Sequence, residues 1–304
     1  MGIASGYRII NQIVAGTLTG SALETYLTTG ANYASFRQAI GMRSGARMVA
    51  ESPTAVTAVS LSSKACTAVT ETSVALQALL LDAEATTTMV TVPAFVSACN
   101  SSQSNSLTLA SVVTATPAAL SALSTSSGSM TALAAGSNLM SVFAASTFLM
   151  TAFSTQSVAM NALAANTVSK MAIYNSDTAL NALAGVAQAL TSMRAAAGYS
   201  VKTTGATSPS STARSLSPSI TSGNWIMLGM SRNFSPTASG TMGISAGRRA
   251  GSTRSISEAA TAVSSTAATD VAFMTPLDGS LTPTTIQSNT DLTEHYIGLL
   301  RCDV

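Results

Sequence analysis

The sequence predicts an elongated, multi-domain α+β fold: a short-helix decapeptide-repeat shaft between a small helical N-terminal head and an antiparallel β-sandwich-like C-terminal domain. Three observations lead to this expectation. A pattern recurs every ten residues through the middle of the chain, the stretch between Glu84 and Lys170 contains no charged residue, and a period of two replaces the pattern near the C-terminus. Recurrence at a short fixed interval is typical of proteins whose units pack mainly against their neighbours.

Residues 1–50 predict the helical head. Its three amphipathic runs, separated by turns that contain glycine, are at residues 7–14, 22–27 and 34–40. The basic residues nearest the repeats are Arg37, Arg43 and Arg47. They form either a solvated helix face or a docking surface for an acidic partner.

Residues 51–196 predict the shaft. Each ten-residue unit has a usually apolar first slot, a middle slot two residues later that is most often Ala, and a third slot three residues after the first. Every third slot is apolar: Val59, Val69, Leu79, Met89, Cys99, Leu109, Leu123, Leu133, Phe143, Phe153, Leu163, Ile173, Leu183 and Met193. A four-residue phase slip separates Leu109 from Leu123.

The ten-residue period excludes one long α-helix, because an apolar stripe would fall about 80° short of three full turns in every unit. Three backbones remain: short helices broken by capped turns, a β-solenoid, and a trimeric bundle of helices that are overwound by three-residue insertions into heptads. Frequent Ala and Met favour the short helices. The residues expected to cap their N-termini are Ser126, Ser127, Ser137, Ser146, Asn166 and Ser176.

Residues 197–222 are rich in Gly, Ser, Pro and Thr and predict a connector that buries no core. Residues 223–304 predict the β-rich distal domain, because alternating residues and turn signals follow one another at short intervals. The expected strands are 224–230, 240–245, 252–256, 271–274 and 295–302. The only tryptophan, Trp225, and the only histidine, His295, lie in this domain.

The composition excludes several function classes. Only 9% of the 304 residues are charged and 5% are aromatic, which is unusual for a soluble enzyme, and a net charge of +2 gives no bulk attraction to nucleic acid. No window of about 20 residues is apolar enough to span a membrane, and no signal peptide is recognisable, so we expect assembly inside a cell. Cys66 and Cys99 fill apolar slots as small buried residues, whereas Cys302 is either packed in a strand or a free thiol.

No catalytic site, metal site or cofactor is expected. A catalytic triad would need His295 with Asp291 or Asp303, and no Gly-x-Ser-x-Gly motif accompanies them. The carboxylates considered as a glycosidase pair are Asp270, Asp278, Asp291 and Glu294, but so small a domain has no room for a long substrate groove. Arg248, Arg249 and Arg254 predict a hairpin tip that either keeps an edge soluble or binds anionic sugars and phosphates.

The helical head, the β-rich end and an array with units such as SMTALAA (129–135) and AMNALAA (159–165) together resemble the fibres and other slender appendages of tailed bacteriophages. The resemblance implies a virion protein made in the host cytoplasm, commonly a homotrimer, with its N-terminal head on the particle and its C-terminal domain projecting. The candidate contacts to a host-surface glycan or protein are then Arg248, Arg249, Arg254 and Trp225, and the candidate particle-docking residues are Arg37, Arg43 and Arg47.

Two other interpretations remain open. The chain is alternatively a passive collar, head or sheath component that stabilises the virion without binding a receptor. A cell-surface adhesin unrelated to phage is a third interpretation, disfavoured because no export signal is recognisable.

Overall fold

The computed structural model describes residues 3–204, 223–234, 239–243, 252, 257–261, 274–278, 286–288 and 292–304. The chain divides into two compact units, Met1–Phe143 and Ala144–Val304. The boundary lies inside the predicted shaft. The described residues are mostly helical, and the second unit also contains antiparallel sheet.

The first unit consists of short helices. In the described residues they are α1 (Ile3–Val14), α2 (Gly20–Tyr26), α3 (Gly30–Ile40), α4 (Arg43–Ala50), α5 (Pro53–Ser60), α6 (Ser63–Thr70), α7 (Ser73–Leu81), α8 (Ala83–Met89), α9 (Pro93–Cys99), α10 (Gln103–Ala115), α11 (Pro117–Thr125), α12 (Ser127–Ala135) and α13 (Ser137–Phe143). The three runs predicted in the head fall within α1, α2 and α3. The sequence did not predict α4 as a separate helix.

The second unit begins with further short helices and ends in strands. Its described helices are α14 (Thr147–Ser154), α15 (Ser157–Ala165), α16 (Thr167–Asn175), α17 (Asp177–Leu183) and α18 (Ala187–Ala195). Its described strands are β1 (Tyr199–Thr204), β2 (Asn224–Phe234), β3 (Ser239–Gly243), β4 (Ser257–Thr261), β5 (Thr275–Asp278), β6 (Ile286–Ser288) and β7 (Leu292–Arg301).

The helices follow the ten-residue spacing of the sequence. From α5 onwards they begin at residues 53, 63, 73, 83, 93 and 103, and then at 117, 127, 137, 147, 157, 167, 177 and 187. The four-residue phase slip falls in α10, the longest of these helices at 13 residues. Because an α-helical turn takes 3.6 residues, the four extra residues add about one turn and keep the same face inward.

Side-chain caps explain where many of these helices begin. The Ser52 hydroxyl accepts a hydrogen bond from the Ala55 amide at 3.2 Å, and Ser62 does the same for Ala65 at 3.1 Å. Of the expected caps, Ser146, Asn166 and Ser176 each accept a bond from the helix that follows. Such a bond satisfies one of the amides that the first helical turn leaves without a partner.

Three of the expected side-chain caps do not form, and one of them, Ser127, is the first residue of α12 and not its cap. Ser126 occupies the cap position of α12, but its hydroxyl instead donates to the Thr91 carbonyl at 3.3 Å. Ser137 is the first residue of α13 and does not cap it. The cap comes from Asn100, whose side-chain oxygen accepts from the amides of Asn138 and Leu139 at 2.9 and 3.2 Å.

The third slot of each unit is the core position. All fourteen third-slot side chains are fully buried, and every first-slot side chain is also buried. The middle slot is mostly half-buried, which suits Ala. The residue before the first slot, such as Ala65 or Leu139, adds a further buried position that the sequence pattern did not reveal.

The two hydroxyl side chains in the first slot are hydrogen-bonded to the preceding helix. Thr86 donates to the Leu79 carbonyl at 3.3 Å, and Ser106 donates to the Cys99 carbonyl at 3.1 Å. Both acceptors are third-slot carbonyls seven residues earlier. The hydroxyls therefore satisfy carbonyl groups at a helix C-terminus that otherwise lack a partner within the helix.

Within each unit, a helix packs mainly against the helix three positions further along the chain. The pairs are α2–α5, α3–α6, α4–α7, α5–α8, α6–α9, α7–α10, α8–α11, α9–α12 and α10–α13 in the first unit, and α14–α17 and α15–α18 in the second. Three short helices thus complete one turn of a coil before the chain returns to the same side. The β-solenoid and the bundle of continuous helices are both wrong for residues 53–195, which contain separate short helices and no strand.

The strands of the second unit form two antiparallel sheets among the described residues. One has the order β1-β7-β2-β5, and the other has the order β4-β3-β6. β1 contradicts part of the predicted connector, because Tyr199–Thr204 pairs with β7 along its whole length. The predicted strands at 224–230, 240–245 and 295–302 overlap β2, β3 and β7, whereas those at 252–256 and 271–274 lie mostly outside the described residues.

The four-stranded sheet packs on the last helices of the second unit. β2 contacts α16 and α18, and both β1 and β7 contact α18. Lys170 reinforces this contact from the first slot of α16: its side chain is buried, and its ammonium donates to the backbone oxygens of Ala197 and Val304 at 3.2 and 2.5 Å. A lysine fits in this slot because polar acceptors lie at the tip of its aliphatic stem.

Candidate functional surfaces

Arg37, one of the three predicted docking residues, is paired within the chain. Its guanidinium forms a 3.0 Å ion pair with the carboxylate of Glu71, to which the Tyr33 hydroxyl also donates at 3.0 Å. Burial and this hydrogen bond raise the pKa of Tyr33 to about 12. The cluster joins α3 to the residue that follows α6, which gives Arg37 an internal structural role.

Arg43 and Arg47 lie together on α4 and line one wall of a groove of about 530 Å³. The opposite wall is α7. The remaining lining residues are Ala50, Glu51, Val74, Gln77, Ala78, Leu81 and Asp82. The structure therefore brings two of the three predicted docking arginines to one concave surface and places the third elsewhere.

The charges in this groove are unequally satisfied. Arg47 pairs with Glu51 one helical turn later at 2.5 Å, and this bond raises the pKa of the arginine. Asp82 accepts a 2.8 Å hydrogen bond from the Ala85 amide and so caps α8. Among the described residues, no carboxylate lies within ion-pair distance of Arg43. Glu51 is thus paired with Arg47, Asp82 keeps its negative charge while it caps α8, and Arg43 has no ion-pair partner among the described residues.

Leu81 is an exposed apolar residue of this groove that was not predicted from the sequence. It ends α7 with 86% of its surface exposed, more than any other large apolar side chain in the described part of the molecule. The equivalent positions ten residues before and after it are Glu71 and Thr91. A leucine at a solvent-facing slot of an otherwise regular unit was the signal available in the sequence.

Trp225, a candidate receptor contact, is 6% exposed and packs inside the sheet on β2. The Arg301 guanidinium lies 5.7 Å from the centroid of its ring, within the range of a cation–π interaction. Arg301 also donates to Asp303 at 2.7 Å, and this hydrogen bond lowers the pKa of the carboxyl group. The ring therefore has an intramolecular partner and presents little surface to a receptor.

The other candidate receptor residues, Arg248, Arg249 and Arg254, lie outside the described residues. Asp270 and Asp291, from the carboxylate set considered for catalysis, lie outside them as well. Within the described ranges, no group of three or more His, Cys, Asp and Glu side chains is arranged to hold a metal ion.

The three thiols are buried. Cys66 and Cys99 fill core slots as predicted, and Cys302 packs at the end of β7. Burial raises the pKa of the Cys66 and Cys302 thiols to about 12 and raises that of Cys99 as well. Since the thiolate is the reactive form of cysteine, none of the three has the character of a nucleophile.

Of the helices in the described part of the chain, none is long and apolar enough on its own to cross a membrane. The pair Gln103–Ala115 and Pro117–Thr125 passes that test together, with a bend of 112° between its members. No known protein-family model matches this sequence, and no curated protein matches it either.

Proposed function

We propose that this chain is a structural component of a tailed-bacteriophage virion, a tail, collar or head fibre with no enzymatic activity. In this proposal the N-terminal helices attach to the particle and the C-terminal region projects towards the host surface. The observation that supports it most is the construction of the helical part from small, nearly uncharged ten-residue units. Each short helix packs against the helix three positions along the chain, and packing between near neighbours of this kind is typical of a repeat shaft.

The homotrimer belongs to the same proposal and rests on the resemblance to phage fibres. The core of a single chain does not require a trimer, because its first-slot and third-slot side chains are already buried. Exposed leucines such as Leu61 and Leu81 leave apolar surface for contacts between chains or with other virion proteins.

A passive virion component is the second candidate, and the burial of Trp225 favours it. The tryptophan was the one aromatic candidate for receptor contact, and its ring lies within the sheet. In this version the protein stabilises the particle and binds no receptor.

Antibody fragments raised separately against residues 1–143 and 144–304 test the proposal and distinguish the two candidates. If the chain is an attachment fibre, both fragments label virions, and the fragment against residues 144–304 blocks adsorption to host cells. Labelling without any loss of adsorption supports the passive component. Absence of labelling by either fragment on intact and disrupted particles contradicts both.

A further inference from the structure

The groove between α4 and α7 combines features that match one kind of partner. Its arginine wall includes Arg43, whose guanidinium has no carboxylate partner among the described residues, whereas Glu51 and Asp82 are engaged within the chain. Arg43 is therefore the cation of the groove that can still take an ion-pair partner, and such a partner is an anion. A guanidinium group without an ion-pair partner can bind a carboxylate through two parallel hydrogen bonds. These bonds fix the orientation of the carboxylate as well as attracting its charge.

The apolar part of the groove adds a second requirement. Leu81 stands at its edge almost fully exposed, and Val74 and Ala78 continue the apolar surface along α7. A volume of about 530 Å³ holds a few side chains rather than the face of a domain. An apolar side chain laid against Leu81 removes surface from water that the isolated chain leaves exposed.

We propose that this groove, defined by Arg43, Arg47, Val74, Ala78 and Leu81, binds an acidic segment of another protein. The segment places a carboxylate on Arg43 and an adjacent apolar side chain on Leu81. The inference deepens the proposed function and rests on it for the partner's identity as a virion protein. The binding chemistry itself rests on the groove alone.

The test is an unbiased selection of ligands by the purified full-length chain. The probe is a messenger-RNA-displayed library of random peptides, and fluorescence anisotropy then measures the affinity of the enriched peptides. We expect enrichment of Asp or Glu beside Leu, Ile, Met or Phe, and binding that weakens as salt rises. Arg43→Gln should weaken binding about tenfold through loss of a charge-assisted contact, and Leu81→Ser by about the same factor.

Matched controls lie on the same unit. Arg8→Gln removes an exposed arginine of α1, and Leu61→Ser removes an exposed leucine that follows α5, and neither residue lines the groove. Both variants should bind the selected peptides as the unmodified chain does. Circular dichroism and thermal unfolding of all four variants confirm that loss of binding is not loss of folding.

Several outcomes overturn the proposal. They are the absence of any enriched peptide, enrichment without acidic residues, and equal binding by the groove and control variants. A change in the oligomeric state of the isolated chain on Arg43→Gln or Leu81→Ser also overturns it, because the groove is then an interface between copies. Since these measurements use purified protein, their failure is distinguishable from failure to find the chain in virions.

Discussion

Phe153 and Phe148 lie on the same helix, α14, and face opposite environments. Phe153 is fully buried in a third slot, whereas Phe148 is 52% exposed. We expect Phe153→Asp to lower the free energy of unfolding by at least about 3 kcal/mol, because it buries an unpaired charge. Phe148→Asp, the control, should change it by less than about 0.5 kcal/mol. Chemical denaturation of both variants measures the difference, and equal effects would show that the buried face is misassigned.

The cysteines give a second prediction at this scale. All three thiols are buried, so they should react with an aromatic disulfide reagent at neutral pH only as fast as the protein unfolds. The reaction is followed by the coloured thiolate that the reagent releases. In denaturant all three should react at once. A thiol that reacts in the native protein at the rate of free cysteine would contradict the structure at that site.

The Cys66 thiol also predicts a pH dependence. Its pKa rises from 9.0 to about 12 on folding, so between these values the unfolded chain releases a proton that the folded chain retains. The contribution of this thiol to stability is therefore complete below pH 9.0 and is lost as the pH rises towards about 12. Cys66→Ala should make the alkaline fall in unfolding free energy shallower, as measured by denaturation over that range.

The burial of the third slot could be predicted from the sequence, because that slot has the same apolar character in every unit. The roles of Thr86 and Ser106 were not readable. Their hydroxyls are acceptable in the core only because third-slot carbonyls lie beside them, and the sequence contains no sign of that geometry. The pairing of Arg37 with Glu71 was hidden for the same reason, since 34 residues separate the partners.

The N-terminus of α13 tests how helices in neighbouring turns of the coil support one another. Asn100 supplies its cap from outside the helix, and its backbone oxygen also accepts from the Asn138 side chain at 2.7 Å. We expect Asn100→Ala to lower the free energy of unfolding by about 1–2 kcal/mol, because two amides lose their partner. Ser137→Ala should have an effect below about 0.5 kcal/mol. A larger loss of stability in Ser137→Ala than in Asn100→Ala would indicate that Ser137, and not Asn100, caps the helix.

The crossing of α1 and α3 depends on a glycine. A Cβ atom at Gly6 would lie 2.1 Å from the Ser35 carbonyl oxygen, so the two helices must move apart in Gly6→Ala. We expect that variant to lose about 1–3 kcal/mol of stability from overpacking. Gly30→Ala is the control, because its Cβ would meet nothing within 4 Å, and it should be neutral or slightly stabilising. Thermal unfolding measures the stability of both variants. A smaller loss of stability in Gly6→Ala than in Gly30→Ala would contradict the close packing of α1 on α3.

The ten-residue spacing of the short helices followed from the period of the sequence, but their arrangement did not. A period fixes how often the chain turns, whereas the angle at each turn decides how many helices complete a coil. The packing of α5 on α8, and of α6 on α9, therefore required the structure. The strand β1 was missed because Gly198 and the Ser-rich residues after it made its surroundings typical of a connector.

For the whole molecule, the proposal predicts a homotrimer. We expect sedimentation equilibrium of the purified chain to give three times the mass of one chain over a micromolar concentration range. A stable folded monomer would contradict the trimer. A monomer would still be consistent with the helix packing described above, because the core slots are buried within one chain.

The central claim is that the chain is a stoichiometric part of a virion, and the protein composition of purified particles tests it most directly. Tailed phage particles produced from the genome that encodes this chain are banded in a density gradient and analysed by quantitative mass spectrometry. We predict peptides from both units in the particle band, at a constant ratio to the major capsid protein in every fraction. Peptides found only in the soluble lysate and not in the banded particles would contradict the claim.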